Sequence, residues 1–135
     1  MSTPLATLEF DTRYIRDLPG DSLDVNRPRQ VPGAAFSRVE PRPTSAPELL
    51  AVADEVVELL GLTSDQVESD AFRDLMTGNL VLPGMEPFAM RYGGHQFGNW
   101  AGQLGDGRAI NLGELVVPGG GRQTLQLKGA GPTPY

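Results

Sequence analysis

From Phe88 to Gly131 the chain reads FAMRYGGHQFGNWAGQLGDGRAINLGELVVPGGGRQTLQLKGAG, a segment broken by glycine every few residues. Glycine loses more backbone freedom on folding than any other residue and weakens a helix interior, yet it accepts the positive φ angles that tight turns demand. Short strands joined by turns are the expected outcome. Residues 99–104 and 108–117 read as two strands joined at Gly105-Asp106-Gly107, because Asp-Gly favours the two-residue hairpin turn. A second turn over residues 118–121 leads into a third strand, 123–128, giving an antiparallel meander. That third strand alternates, with Leu125 and Leu127 on one face and Thr124, Gln126 and Lys128 on the other.

The sequence before this segment is helical in pattern. Over residues 47–60, Leu49, Val52, Val56, Leu59 and Leu60 make one apolar stripe, while Asp54, Glu55 and Glu58 face outward. Ser45 is placed to cap this helix with Glu48 completing a capping box, Pro47 suits its first turn, and Gly61 suits its end. A second helix is expected over residues 69–77, capped by Ser69 and ended by Gly78, with Phe72, Leu75 and Met76 inward. Prolines at 28, 32, 41 and 43 keep residues 1–43 irregular. Ala35, Phe36 and Val39 would be the apolar contacts of an extended strand there, unless the segment is a flexible tail. The fold class is α+β, divided into an irregular, extended segment (1–43) and a lobe made of two helices followed by a β meander (44–135).

Composition narrows the functions. A net charge of −6 over 135 residues argues against a sequence-independent nucleic-acid binder, which needs a basic surface against phosphates. No apolar run approaches the roughly 20 residues of a membrane-spanning helix, and the first residues lack the pattern of a secretory signal. The absence of cysteine removes disulfides and thiolate metal sites, and fits a soluble, cytoplasmic protein.

Lys128 is the only lysine among 11 basic residues. It lies on a strand that follows a glycine turn by two strands, an order in which backbone amides and one ammonium can meet the same phosphate chain. Kinase-like nucleotide sites use this order; no Walker A loop occurs. Gly105 and Gly107 would let the backbone approach the anion, and Arg108 would offer a planar fork to two oxygens. Asp106 would repel a phosphate if it pointed inward, so it is expected to face out or cap the turn. His95, the only histidine, makes a poor metal site with no cysteine or nearby carboxylate. It is expected to fix its glycine-rich turn by hydrogen bonds, with Phe97 and Trp100 in the core. The residues alone leave two readings: a nucleotide site, or a small β-rich module that uses the groove beside the hairpin to bind a protein.

The strings RYGGHQFGNWAGQLGDGRAINLGE and LQLKGAGPTPY closely resemble the signature of the selenoprotein O family of kinase-like proteins, and AFSRVEPRPTSAPELLAVADEVVELLGL is similar to that family's amino-terminal region. The similarity covers about residues 35–135, and its strings are long enough to be specific. The resemblance implies an incomplete protein kinase-like N-lobe that binds ATP in an inverted orientation. It implies transfer of AMP to serine, threonine or tyrosine hydroxyls of proteins, with Mg2+ as a further cofactor. Carried over by position, Gly105, Gly107 and Arg108 correspond to the nucleotide-contacting loop and Lys128 to the lysine at the phosphates. Family members continue well beyond Tyr135, and the resemblance puts the lysine's glutamate partner, the catalytic aspartate and the magnesium ligands in that continuation. No catalytic or metal-binding residue is therefore expected within these 135 residues, and the chain alone is expected to be inactive.

Overall fold

The structure is a computed structural model that describes residues 4–135. Among them are four helices, α1 (Arg13–Asp17), α2 (Asp54–Leu60), α3 (Ser64–Val67) and α4 (Asp70–Met76). Five strands accompany them: β1 (Phe36–Arg38), β2 (Phe88–Gln96), β3 (Asn99–Gly105), β4 (Ala109–Val116) and β5 (Arg122–Lys128). The strands form one antiparallel sheet in the order β1-β2-β4-β5, with β3 paired to β2 beside this path. The α+β class read from the sequence is the observed one.

Strand positions came close to expectation, but the first turn did not. β3 pairs with β2 from Arg91↔Gly105 to Gln96↔Asn99, not with β4. The two-residue hairpin is therefore Phe97-Gly98, whose φ angles of 50° and 80° are the positive pair that such a turn requires. Gly105-Asp106-Gly107 instead carries the chain across from β3 to β4. Asp-Gly is the better hairpin dipeptide, but here Asp106 is committed elsewhere: its amide donates to the Met90 carbonyl at 2.9 Å, and its carboxylate accepts from the Met90 amide at 2.8 Å. Phe97 holds the left-handed conformation at a cost of about 1–2 kcal/mol, and its ring is fully exposed, so no packing offsets it. Phe97→Asn is expected to raise the unfolding free energy by about 1 kcal/mol, measurable by denaturant titration.

The helices also divide. α4 begins where expected: the Ser69 hydroxyl accepts from the Phe72 amide at 3.1 Å, Phe72 and Leu75 are buried, and Gly78 follows at φ 79°. The expected helix over 47–60 is present only as α2, which begins at Asp54. Ser45 makes no cap, and the residue before Pro47, Ala46, sits at φ 46°, outside helical backbone. Leu49, Leu50, Val52, Val56 and Leu59 are exposed, and of the apolar stripe only Leu60 is buried. A short helix is marginal without a packed face, and the first half of this segment packs too little to be held. Gly61 ends α2 at φ 69°, as expected. α3, a helix not expected from the sequence, carries a capping box from Thr63 and Gln66.

Two cores flank the sheet. On one face Phe72 and Leu75 of α4 meet Leu112, with Leu125 and Leu127 of β5 alongside. On the other, Phe88 and Phe36 pack with Ile15 of α1, and the Tyr14 ring stacks on Phe88 at 5.1 Å. The amino-terminal segment is thus woven into the sheet: Phe36 is a strand residue of β1, Val39 is buried just after it, and Phe10 bridges to Leu115.

Candidate functional site

The four residues singled out from the sequence gather at one end of the β4-β5 pair. Lys128 is the cross-strand partner of Ala109. Beyond it the amides of Gly129 and Ala130 both donate to the Arg108 carbonyl, at 2.8 and 3.0 Å, so the backbones that carry the two cations are tied together. Both residues are exposed. Among the described residues, neither side chain makes a hydrogen bond or ion pair. Two exposed cations on backbones tied in this way, without a carboxylate partner among the described residues, leave their charge available to an anion.

A chain of side-chain hydrogen bonds puts the 105–107 bend on the face that bears Lys128. Buried Asn111 donates to the Asp106 carboxylate at 3.0 Å and to the Phe88 carbonyl at 3.2 Å, and its own carbonyl oxygen accepts from Gln126 at 3.1 Å. Gln126 and Lys128 are two apart on β5 and so share a face. Asp106, expected to face out or cap the turn, caps it from within. One oxygen of its carboxylate, Oδ2, accepts from both the Met90 amide and Asn111. The Asp106 charge, after the larger effect of burial, also raises the pKa of the Tyr14 phenol.

The two loop glycines differ. A side chain at Gly107 would meet nothing within 4 Å, so this backbone is open to a ligand. At Gly105 an added Cβ would lie 2.5 Å from the Tyr135 ring and 2.8 Å from the Met90 carbonyl. Gly105 is therefore small in order to receive that ring. Thr133, buried, closes the loop from below: its hydroxyl lies 2.5 Å from the Asp106 carbonyl and 3.2 Å from that of Gly107. Asn111, Gln126 and Thr133 were not legible as parts of this site, since each becomes a partner of the loop only through tertiary pairing.

The other candidates lie apart. His95 is paired across the hairpin with Trp100, ring edge to face at 5.1 Å, instead of fixing its turn by hydrogen bonds. Phe97 and Trp100, expected in the core, are exposed because the β2–β3 hairpin extends past the helices that cover β4 and β5. A concavity of about 370 Å³ between residues 21–24 and 38–40 is lined by three carboxylates, Asp21, Asp24 and Glu40, against one cation, Arg38, a balance that disfavours a triphosphate. No group of three His, Cys, Asp or Glu side chains among the described residues could hold a metal ion.

What the fold and this edge define is an α+β lobe that presents a tied pair of cations beside an open glycine. The family model of protein adenylyltransferase SelO matches residues 26–135. Curated relatives called protein nucleotidyltransferase YdiU match as well. The one from Methylobacillus flagellatus is 57% identical over 128 residues, covering 95% of this chain and 25% of the relative. The Nitrosospira multiformis relative is 53% identical over 140 residues, covering 99% and 25%; that of Rhodopirellula baltica is 58% identical over 128 residues, covering 95% and 24%. The chain belongs to the SelO family of protein adenylyltransferases. It spans about a quarter of the length of these relatives.

Proposed function

We propose that this chain supplies the phosphate-binding edge of an enzyme that transfers AMP from ATP to serine, threonine or tyrosine hydroxyls of proteins in the cytoplasm. The observation that carries the reading is the exposed Arg108 and Lys128, without an ion-pair partner among the described residues, on backbones tied together through the Arg108 carbonyl beside the open backbone of Gly107. The guanidinium offers a planar fork to two phosphate oxygens, and the ammonium a compact charge to a third. In AMP transfer the bond between the α- and β-phosphates breaks and negative charge builds on the departing pyrophosphate. Cations carried on tied backbones at that position offset this charge. Gly105 contributes indirectly, by receiving the Tyr135 ring. Magnesium would bring further positive charge to the phosphates, held by residues of the longer polypeptide. In this reading the chain contributes nucleotide contacts, and activation of the acceptor hydroxyl is assigned to groups other than the residues named here.

The test is transfer of label from α-labelled ATP to protein, in a version of the chain extended to the length of its relatives. Lys128→Ala is expected to lower transfer at least tenfold, in line with the roughly 1.5–3 kcal/mol of a hydrogen bond to a charged group. Undiminished labelling removes Lys128 from the mechanism.

A further inference from the structure

The carboxy-terminal residues of the chain are held by more bonds than a strand end needs, and the bonds converge on the 105–107 loop. Thr133 is 2% exposed and its hydroxyl lies under the loop, 2.5 Å from the Asp106 carbonyl, while the Tyr135 amide donates to the same hydroxyl oxygen at 3.3 Å. The Tyr135 ring then lies against Gly105, where not even a Cβ would fit. The segment is clamped in turn by an amino-terminal strap. The Arg29 amide donates to the Pro134 carbonyl at 3.0 Å, and the Asn26 side-chain amide to the Pro132 carbonyl at 2.9 Å. The phenol of Tyr135 is 2.6 Å from the Ser37 hydroxyl, which spends its single proton on Asp21 at 2.7 Å, so Tyr135 is the donor. Gln103 of β3 closes the circuit, donating to the Arg29 carbonyl at 2.8 Å and accepting from the Val31 amide at 2.8 Å.

We propose that Thr133 and Tyr135 are positioning residues that set the loop of Gly105–Arg108 against Lys128, with residues 26–37 as the strap that holds them there. The inference rests on the nucleotide reading above and deepens it. Neither residue touches the ligand. Thr133 donates its single proton to the Asp106 carbonyl, with the Gly107 carbonyl a weaker second acceptor at 3.2 Å, and so fixes the direction of the Gly107 amide and restrains that of Arg108. A loop freed from this hold still folds over β4 through Asp106 and Asn111, but it samples more than one height above Lys128. The ligand must then select one of these states, and its apparent affinity falls by the fraction lost.

The experiment is ATP-dependent transfer by the chain extended to family length, comparing Thr133→Val, Thr133→Ser and Lys128→Ala, with thermal unfolding and amide hydrogen exchange run in parallel. Thr133→Val keeps the shape and removes the hydroxyl. It is expected to raise KM for ATP about fivefold with kcat and the unfolding midpoint near those of the parent, and to speed exchange at the Gly107 and Arg108 amides. Thr133→Ser is expected to restore both. An unchanged KM and unchanged exchange in Thr133→Val, with Lys128→Ala impaired, overturns the positioning role and leaves the nucleotide reading intact. A change in KM that appears only together with a lowered unfolding midpoint, or that serine does not rescue, also overturns it. If Lys128→Ala is unimpaired, the nucleotide reading falls and this inference with it.

Discussion

Phe88→Ala is expected to cost about 3–5 kcal/mol of unfolding free energy, the range for removing a fully buried aromatic ring. Phe88 is 0% exposed and is the residue at which three strands meet, paired to Arg38 of β1 and to Asn111 of β4. Its ring stacks on Tyr14 at 5.1 Å and meets Phe36 edge-on at 5.8 Å. Its carbonyl also accepts from the Asn111 side chain, which holds Asp106. The cavity left by alanine therefore opens directly beneath the candidate site. A domain of this size has a total stability of only about 5–15 kcal/mol, so the variant should lose a large share of its denaturant resistance. Chemical denaturation followed by circular dichroism measures it; a loss below about 1 kcal/mol would show that this aromatic cluster is not the core beneath the site.

Asp21→Asn should have the second largest effect, and its effect depends on pH. The Asp21 carboxylate, 3% exposed in its side chain, is paired with Arg29, 16% exposed. Burial raises its pKa, but hydrogen bonds from Arg29, the Leu23 amide and the Ser37 hydroxyl together outweigh burial, and the value ends below the ordinary 3.8. A carboxyl whose pKa is depressed on folding contributes stability that is present above its unfolded value, and loses it as pH falls through the folded value. Asparagine keeps the shape and removes the charge, leaving Arg29 without its counterion, a change that costs about 1.5–3 kcal/mol for a hydrogen bond to a charged group in a part-buried pair. At neutral pH the variant should therefore be less stable by about that amount. As pH drops below the ordinary carboxylate range the two stability curves should converge, because the parent then loses the same charge. A difference that persists undiminished in acid would mean that the pair contributes through shape and not charge. Asp11, lowered by hydrogen bonds from Arg16 and then Arg122, titrates in the same direction and is common to both proteins.

Local chemistry decides the structure by itself at several points. The Ser69 cap, the stops at Gly61 and Gly78, and the alternation of β5 depend on a few adjacent residues, and the structure has all of them. Elsewhere a distant partner overrules local preference. Asp106-Gly107 has the composition of a hairpin turn, yet Met90 and Asn111 claim its carboxylate, and the turn falls at Phe97-Gly98, which has a weak signal. The stripe over 49–59 has helical period but finds little surface to bury it, so only its last turns are helical. The site was legible in part. Lys128 stood out as the lone lysine, and the two-strand spacing placed it near the bend. Thr133, Asn111 and Gln126 could not be assigned, because only the pairing of β4 with β5 and the return of residues 129–135 bring them to the loop.

The central claim is that Arg108 and Lys128 act on one triphosphate. Calorimetric titration of ATP into this chain and into its family-length extension, each as parent, Arg108→Ala, Lys128→Ala and the double variant, tests it most directly. The account predicts that each single substitution weakens ATP binding about tenfold or more and that the double variant gives no measurable heat, with all four proteins equally folded. Equal ATP affinity in the parent and the double variant would contradict it.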